Sequence, residues 1–222
     1  MSLSAAQWLA GRVAEILGAN ARSVILHGSL AAGGFVPGRS DIDLLAVIDG
    51  DVPEERLVRL VRRADLGEAV GLDLHVVTAE VAASPGREPP LELYVGRHDG
   101  SSVGFEIERS VPAAPDLLAE LSMARAHGRA LWGASPREVI GPVPADWIVD
   151  RGRHWLRTWL SLTDDAENAT FMALTACRIW RFAVENVHCS KAEAAAWAFE
   201  QDRSLTFDDV GALLTRVLHE TQ

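Results

Sequence analysis

The residues Leu26-His27-Gly28-Ser29 and, after eleven intervening positions, Asp41-Ile42-Asp43-Leu44-Leu45-Ala46-Val47-Ile48 decide how this chain folds. The second string opens with two carboxylates and closes in a run of branched apolar side chains, a composition that suits a central strand covered on both faces. Ser23–His27 reads as a short buried strand that runs into a Gly-Ser turn. Strand periodicity is two, so Asp41 and Asp43 share a face and their carboxylates converge. Gly28 carries no side chain to keep a phosphate from backbone N–H groups, and Ser29 adds a hydroxyl, so this corner can hold a triphosphate.

Around this stretch the pattern alternates. Ala5–Leu17 places Trp8, Leu9, Val13, Ile16 and Leu17 on one helical face, and Pro53 opens a second helix that the spacing carries to Val70. Leu72–Thr78 is a third strand, with Asp73, His75 and Val77 on one face and Leu72, Leu74 and Val76 on the other. Ser84–Pro90 must be loop because its three prolines forbid helix interior and central strand alike. Leu91–Val95 admits a helical turn, while Ser101–Arg109 alternates like a strand. From Asp116 the pattern is helical: Asp116–Ala130, Ala145–Leu162, Glu167–Glu185, Lys191–Glu200 and Phe207–Leu218. The expected architecture is α/β (α+β), with residues 1–111 forming a domain around a mixed, twisted sheet and residues 112–222 an all-helical domain.

The chain has 222 residues, 31 acidic against 21 basic, and a net charge of −10. Such a field repels phosphate backbones, which argues against nucleic-acid binding and suits a cationic small molecule or carboxylate-held metal ions. The apolar runs fall far short of the ~20 residues of a membrane-spanning helix, and the N-terminus shows no secretory pattern, so a cytoplasmic location is expected. Cys177 and Cys189 are too few for a disulfide framework or a zinc cage, and both are expected to stay reduced.

Each part of the acidic constellation has an ordinary structural explanation. A Gly-Ser pair is commonly a turn, and Asp-x-Asp at a strand start commonly a cap. Their conjunction is different, because two carboxylates heading so apolar a strand are costly unless a cation or hydrogen bonds compensate them. Hard divalent cations such as Mg²⁺ take oxygen ligands of this kind. If the second and third strands are neighbours, Asp73 reaches the same point and can accept the proton of an attacking hydroxyl. His75 faces the same way and is read as a hydrogen-bonded spectator.

These residues resemble the DNA polymerase β-like nucleotidyltransferases, and more closely the aminoglycoside (3'')(9)-adenylyltransferases, the streptomycin and spectinomycin resistance enzymes. The resemblance rests on His27-Gly28-Ser29-Leu30-Ala31-Ala32-Gly33-Gly34-Phe35, on Pro37 with Ser40-Asp41-Ile42-Asp43-Leu44-Leu45, on Cys177-Arg178-Ile179-Trp180, and on Ser190-Lys191 with Ala194-Ala195-Ala196-Trp197-Ala198. It implies transfer of AMP from Mg²⁺-bound ATP to a hydroxyl of a small acceptor. Asp41 and Asp43 would bind Mg²⁺, Asp73 would stand for the family's catalytic glutamate, and Gly28, Ser29, Ser40, Arg178 and Lys191 would contact the nucleotide. Trp159 and Asp164 fall where the family grips streptomycin. Arg97 and His98, following Val95-Gly96, come to the rim of the substrate site, and Asn168 aligns with a second acidic contact. Ending at Gln222, the chain would have a smaller helical domain than those enzymes. Two other readings stand beside this one: a minimal nucleotidyltransferase acting on a protein, and a non-catalytic nucleotide-binding module. Trp155, Trp180 and Trp197 are read as core, as tryptophan at helical spacing usually is.

Overall fold

A computed structural model describes residues 2–99, 104–162 and 168–222. They form two compact units, Met1–Val143 and Pro144–Gln222. In the first, α1 (Ser2–Leu17) leads into β1 (Ala21–His27), a short turn of helix α2 (Gly28–Ala32) and β2 (Ile42–Ile48). Then follow α3 (Glu54–Arg63), β3 (Gly71–Thr78), α4 (Ala79–Ala83), β4 (Leu91–His98), β5 (Phe105–Val111), α5 (Leu117–His127), β6 (Arg129–Gly133) and α6 (Pro136–Val139). The six strands make one sheet in the order β5-β4-β3-β2-β1-β6. Only β2 and β3 run parallel, joined by α3 as their crossover helix.

Alternation along the strands builds a core on each face. Leu26, Ile42, Leu44, Leu72, Leu74 and Val95 pack with Leu9 and Val13 of α1 and Leu57 and Val61 of α3. Ile25, Leu45, Val47 and Val77 turn to the opposite face, against Leu117, Leu121 and Ala124 of α5. Leu44, Leu45, Ala46, Val47 and Ile48 are therefore all buried, as a strand covered on both sides requires.

Three local expectations are corrected. The helix from Pro53 stops at Arg63 instead of Val70: Ala64 is extended, and the Asp65 carboxylate accepts the Gly67 N–H at 3.0 Å, a local bond that competes with helix continuation. Leu91–Val95 is strand, part of β4, paired from Leu93 opposite Val76 to His98 opposite Gly71. The end of the helix drawn to Ala130 is β6, which pairs antiparallel with β1, and the buried Ser23 donates its hydroxyl to the carbonyl of Ala134 at 2.7 Å. Because α5 covers one sheet face and β6 extends the sheet, the division between units falls at Val143, not near residue 112.

The described residues of the second unit form α7 (Ala145–Leu160), α8 (Ala169–Glu185), α9 (Lys191–Gln201) and α10 (Val210–Glu220). Ala173, Ala176, Cys177 and Trp180 recur at helical spacing along α8 and meet Leu156, Trp197, Ala198, Leu214 and Val217. Ser190 and Glu193 cap α9 reciprocally, each accepting the other's backbone N–H. Trp180 and Trp197 pack edge to face with centroids 5.3 Å apart, and the Trp197 indole N–H donates to Glu185 at 2.7 Å. Cys177 and Cys189 are free thiols, and burial pushes the Cys177 thiol up to about 11. Among the described residues, no helix is long and apolar enough to cross a membrane.

Candidate active site

The register of the sheet sets polar residues in one row. His27 lies opposite Asp43, Asp43 opposite Asp73, Asp73 opposite Gly96, and Gly96 opposite Glu106. Directly paired residues share a face, so this row stands on the same side of the sheet as Ile25 and Leu45, at the end of that core. The neighbourhood of the second and third strands, on which the role of Asp73 depended, is thus present, and the strands are parallel.

Oxygens of Asp41 and Asp73 and a ring nitrogen of His98 all lie within 4.8 Å of one another. Asp41 immediately precedes β2, and its Oδ1 sits where a side chain on Gly71 would stand, 2.3 Å from that missing Cβ. Asp43 does not join this group; its carboxylate turns to Gly28, where an added Cβ would meet Oδ2 at 1.9 Å. Gly28 also has φ +63°, a backbone conformation that side chains disfavour, so space and conformation both require glycine there. Gly96 leaves room in the same way for Tyr94 Oη, which would lie 2.3 Å from a Cβ. The sequence reading found Gly28 but not Gly71 and Gly96, whose meaning depends on which strand lies beside them.

Asp73 Oδ1 accepts the Tyr94 hydroxyl at 2.7 Å and lies 3.2 Å from His98 Nε2. Burial alone would raise the Asp73 carboxyl, but hydrogen bonds from His98 and Tyr94 and the charge of neighbouring histidines hold it below its ordinary value. The bond to Asp73 raises His98. Burial, with the Asp73 charge behind it, raises Tyr94, so its phenol stays protonated and keeps donating. The two residues expected near the substrate, Arg97 and His98, go to different places. They alternate across β4: His98 faces the carboxylates, while Arg97 turns away to Asp99, at 2.9 and 2.7 Å, and to the Ala64 carbonyl at 2.7 Å. Tyr94 was not singled out from sequence; its even-number spacing from His98 in a recognised strand is the signal that would have found it.

The His75 ring lies tilted against Tyr94 with centroids 4.9 Å apart; its buried Nδ1 has no hydrogen-bond partner among the described residues, unlike the hydrogen-bonded ring expected, and burial lowers its pKa. Ser29 is half-buried in α2. Ser40 Oγ accepts the Val36 N–H at 3.0 Å and closes the loop before Asp41.

In the second unit, Arg178 is half-buried on α8, and Lys191 Nζ lies 4.5 Å from the centre of the Phe171 ring. Trp159 is half-buried, stacked on Trp155 at 5.9 Å and edge-on to Phe171 at 6.1 Å. Asp164 lies outside the described residues. Asn168 precedes α8, its carbonyl accepting the Met172 N–H at 2.9 Å.

A mixed sheet that carries carboxylates at the start of two parallel neighbours, beside a glycine turn, has the form of a nucleotidyltransferase, and residues 7–89 match the nucleotidyltransferase domain family. Residues 138–202 match the family described as aminoglycoside adenylyltransferase, C-terminal domain. An aminoglycoside (3'') (9) adenylyltransferase of Rhizobium radiobacter is 31% identical over 181 residues, covering 78% of this chain and 67% of that protein. The chain belongs to the aminoglycoside (3'')(9) adenylyltransferase family and is an adenylyltransferase. The crystal structure of spectinomycin adenyltransferase AAD(9) from Enterococcus faecialis, solved with ATP and spectinomycin, shares the fold: TM-score 0.74 over 100% of this chain and 99% of that one, at 14% identity.

Proposed function

We propose that this enzyme transfers AMP from ATP to a hydroxyl of a small, cationic, sugar-like acceptor such as streptomycin or spectinomycin. The observation that carries the reading is the convergence of Asp41 and Asp73 at one end of the sheet, with Asp43 one row position from Asp73 and against the Gly28 turn. Carboxylate oxygens suit Mg²⁺, and the Asp41 oxygen stands with Asp73 and His98 in a group of possible donors within 4.8 Å, while the Asp43 carboxylate is turned to Gly28. Asp41 and Asp43 would hold this ion, which when bound neutralises charge on the phosphates and the leaving group.

The acceptor hydroxyl oxygen bonds to the α-phosphorus as the bond to the bridging oxygen breaks, and pyrophosphate leaves with that electron pair. Asp73 takes the hydroxyl proton. Tyr94 and His98 both contact Oδ1 and would restrain the Asp73 carboxylate. Gly28 and Ser29 would admit the phosphates at the turn, and Ser40 holds the loop that delivers Asp41; the family resemblance assigns Arg178 and Lys191 to the nucleotide as well. Trp159 offers a flat face to a sugar ring and Asp164 a charge to a guanidinium or ammonium group.

The test is pyrophosphate release with Mg²⁺-ATP across streptomycin, spectinomycin, kanamycin and lincomycin, with AMP-acceptor adducts identified by mass. Activity on streptomycin or spectinomycin that disappears in Asp43→Asn, with unfolding unchanged, is the expected result. Equal turnover in wild type and Asp43→Asn removes the assignment, and AMP on a protein instead of these acceptors favours the minimal-enzyme reading.

A further inference from the structure

We propose that His98 is a nitrogen donor to the metal ion held by Asp41, so that this site prefers a first-row cation such as Mn²⁺ or Co²⁺ to Mg²⁺. The inference rests on the adenylyl-transfer reading for the presence of a metal, and on this chain's own geometry for the donor.

The two ring nitrogens of His98 face different partners. Nε2 lies 3.2 Å from Asp73 Oδ1, a distance that suits an N–H donating to the carboxylate. With the proton on Nε2, the neutral ring carries its lone pair on Nδ1. Nδ1 points to the other side, into the space over Gly71, where a Cβ would lie 2.9 Å from it and 2.3 Å from Asp41 Oδ1. Nδ1 and Asp41 Oδ1 thus border one small space that any side chain at position 71 would fill. An imidazole oriented through one N–H by a carboxylate, with its other nitrogen free to ligate, is the usual arrangement at protein metal sites.

Three strands build this arrangement. Asp41 leads into β2, Gly71 opens β3, and His98 closes β4 directly opposite Gly71 in the register. Asp73, two residues along from Gly71, reaches back to Nε2. The proposed donors are therefore Asp41 and His98, with Asp73 orienting the imidazole through Nε2, and all three residues are half-buried. Oxygen-only sets suit Mg²⁺, whereas an imidazole shifts preference toward first-row transition cations.

The experiment uses the full-length protein with Mn²⁺ alone as a spin probe, and reads nitrogen hyperfine modulation of the bound ion by pulsed electron paramagnetic resonance. Wild type is expected to show modulation from a directly bound imidazole. His98→Gln, whose amide nitrogen can still donate to Asp73 from the Nε2 position, is expected to lose it and to weaken Mn²⁺ binding by about tenfold or more, with a smaller change for Mg²⁺. Bound Mn²⁺ without nitrogen modulation in wild type, or modulation unchanged in His98→Gln, overturns the proposal and leaves His98 as a hydrogen-bond partner of Asp73 only. The wild-type spectrum is decisive by itself if the variant folds poorly. Turnover is measured on the same samples: AMP transfer without nitrogen modulation removes His98 from the metal and leaves the transferase reading standing, whereas modulation without AMP transfer does the reverse.

Discussion

His27 stands next to the glycine turn with no exposed surface, and neither ring nitrogen has a hydrogen-bond partner among the described residues. Nδ1 comes within 3.3 Å of Glu120 Oε2, a contact that would favour the charged ring, but the geometry is not that of a hydrogen bond and burial dominates. Burial, helped by His75, pushes His27 down from 6.5 to about 3. A histidine whose folded pKa is lowered binds fewer protons folded than unfolded, so stability is complete above about pH 6.5 and falls as the pH drops toward 3. At pH 5 the loss is about 2 kcal/mol. Urea unfolding in the presence of a chelator is expected to show this slope in wild type and a shallower one in His27→Leu, since His75 contributes with the same sign. Gly96 carries a second prediction at this scale. A methyl there meets Tyr94 Oη and displaces the hydroxyl from Asp73, so Gly96→Ala is expected to lower kcat by about tenfold or more while unfolding shifts by about 1 kcal/mol or less. An unchanged kcat would show that Tyr94 does not position the carboxylate.

At the scale of the element, β2 connects the two sheet cores and the site. Leu44 and Leu45 are both buried yet belong to opposite cores, and the same strand carries Asp43. Leu45→Ala leaves a cavity against Ile25 and the α5 residues and is expected to cost about 2–5 kcal/mol in chemical denaturation. A loss below about 1 kcal/mol would mean that the α5 side of the sheet is not close-packed. The strand β4 shows the same logic in its polar residues. One residue of register decides that His98 meets Asp73 and that Arg97 is anchored at the end of α3 by the Ala64 carbonyl. Arg97 therefore turns its guanidinium to Asp99 and the Ala64 carbonyl and puts no cation beside the carboxylates.

For the whole molecule, a net charge of −10 sets a field that concentrates cations and opposes nucleotides. That field is screened over about 10 Å at 0.1 M salt. KM for a cationic acceptor is expected to rise severalfold between about 0.02 and 0.3 M salt, while KM for the Mg²⁺-nucleotide falls or holds. Initial-rate kinetics at the two ionic strengths check this, and an acceptor KM indifferent to salt would remove long-range attraction from the account. The helical unit draws its stability from a separate core, with Trp180 and Trp197 at its centre, as their spacing indicated.

The sequence alone determined what depends on near neighbours and on periodicity. The apolar run after Asp43 defined a central strand, the strand period put Asp41 and Asp43 on one face as candidate ligands, and the helical spacing gave the helices from Ala145 onward, although it drew the helical domain from residue 112. Tertiary structure decided what depends on residues far apart in the chain. It made β6 a partner of β1, since five residues such as Arg129–Gly133 carry too little pattern to distinguish an edge strand from a fraying helix, and it moved the division between units to Val143. It gave Gly71 and Gly96 their meaning, because the absence of a side chain matters only once a neighbouring strand brings Asp41 or Tyr94 into that space. It also separated the two aspartates that period two had placed together, turning Asp43 to the glycine turn and Asp41 to Asp73 and His98. Strand periodicity fixes the face on which a carboxylate stands, but the donors it meets there are set by the register of strands paired across the sheet.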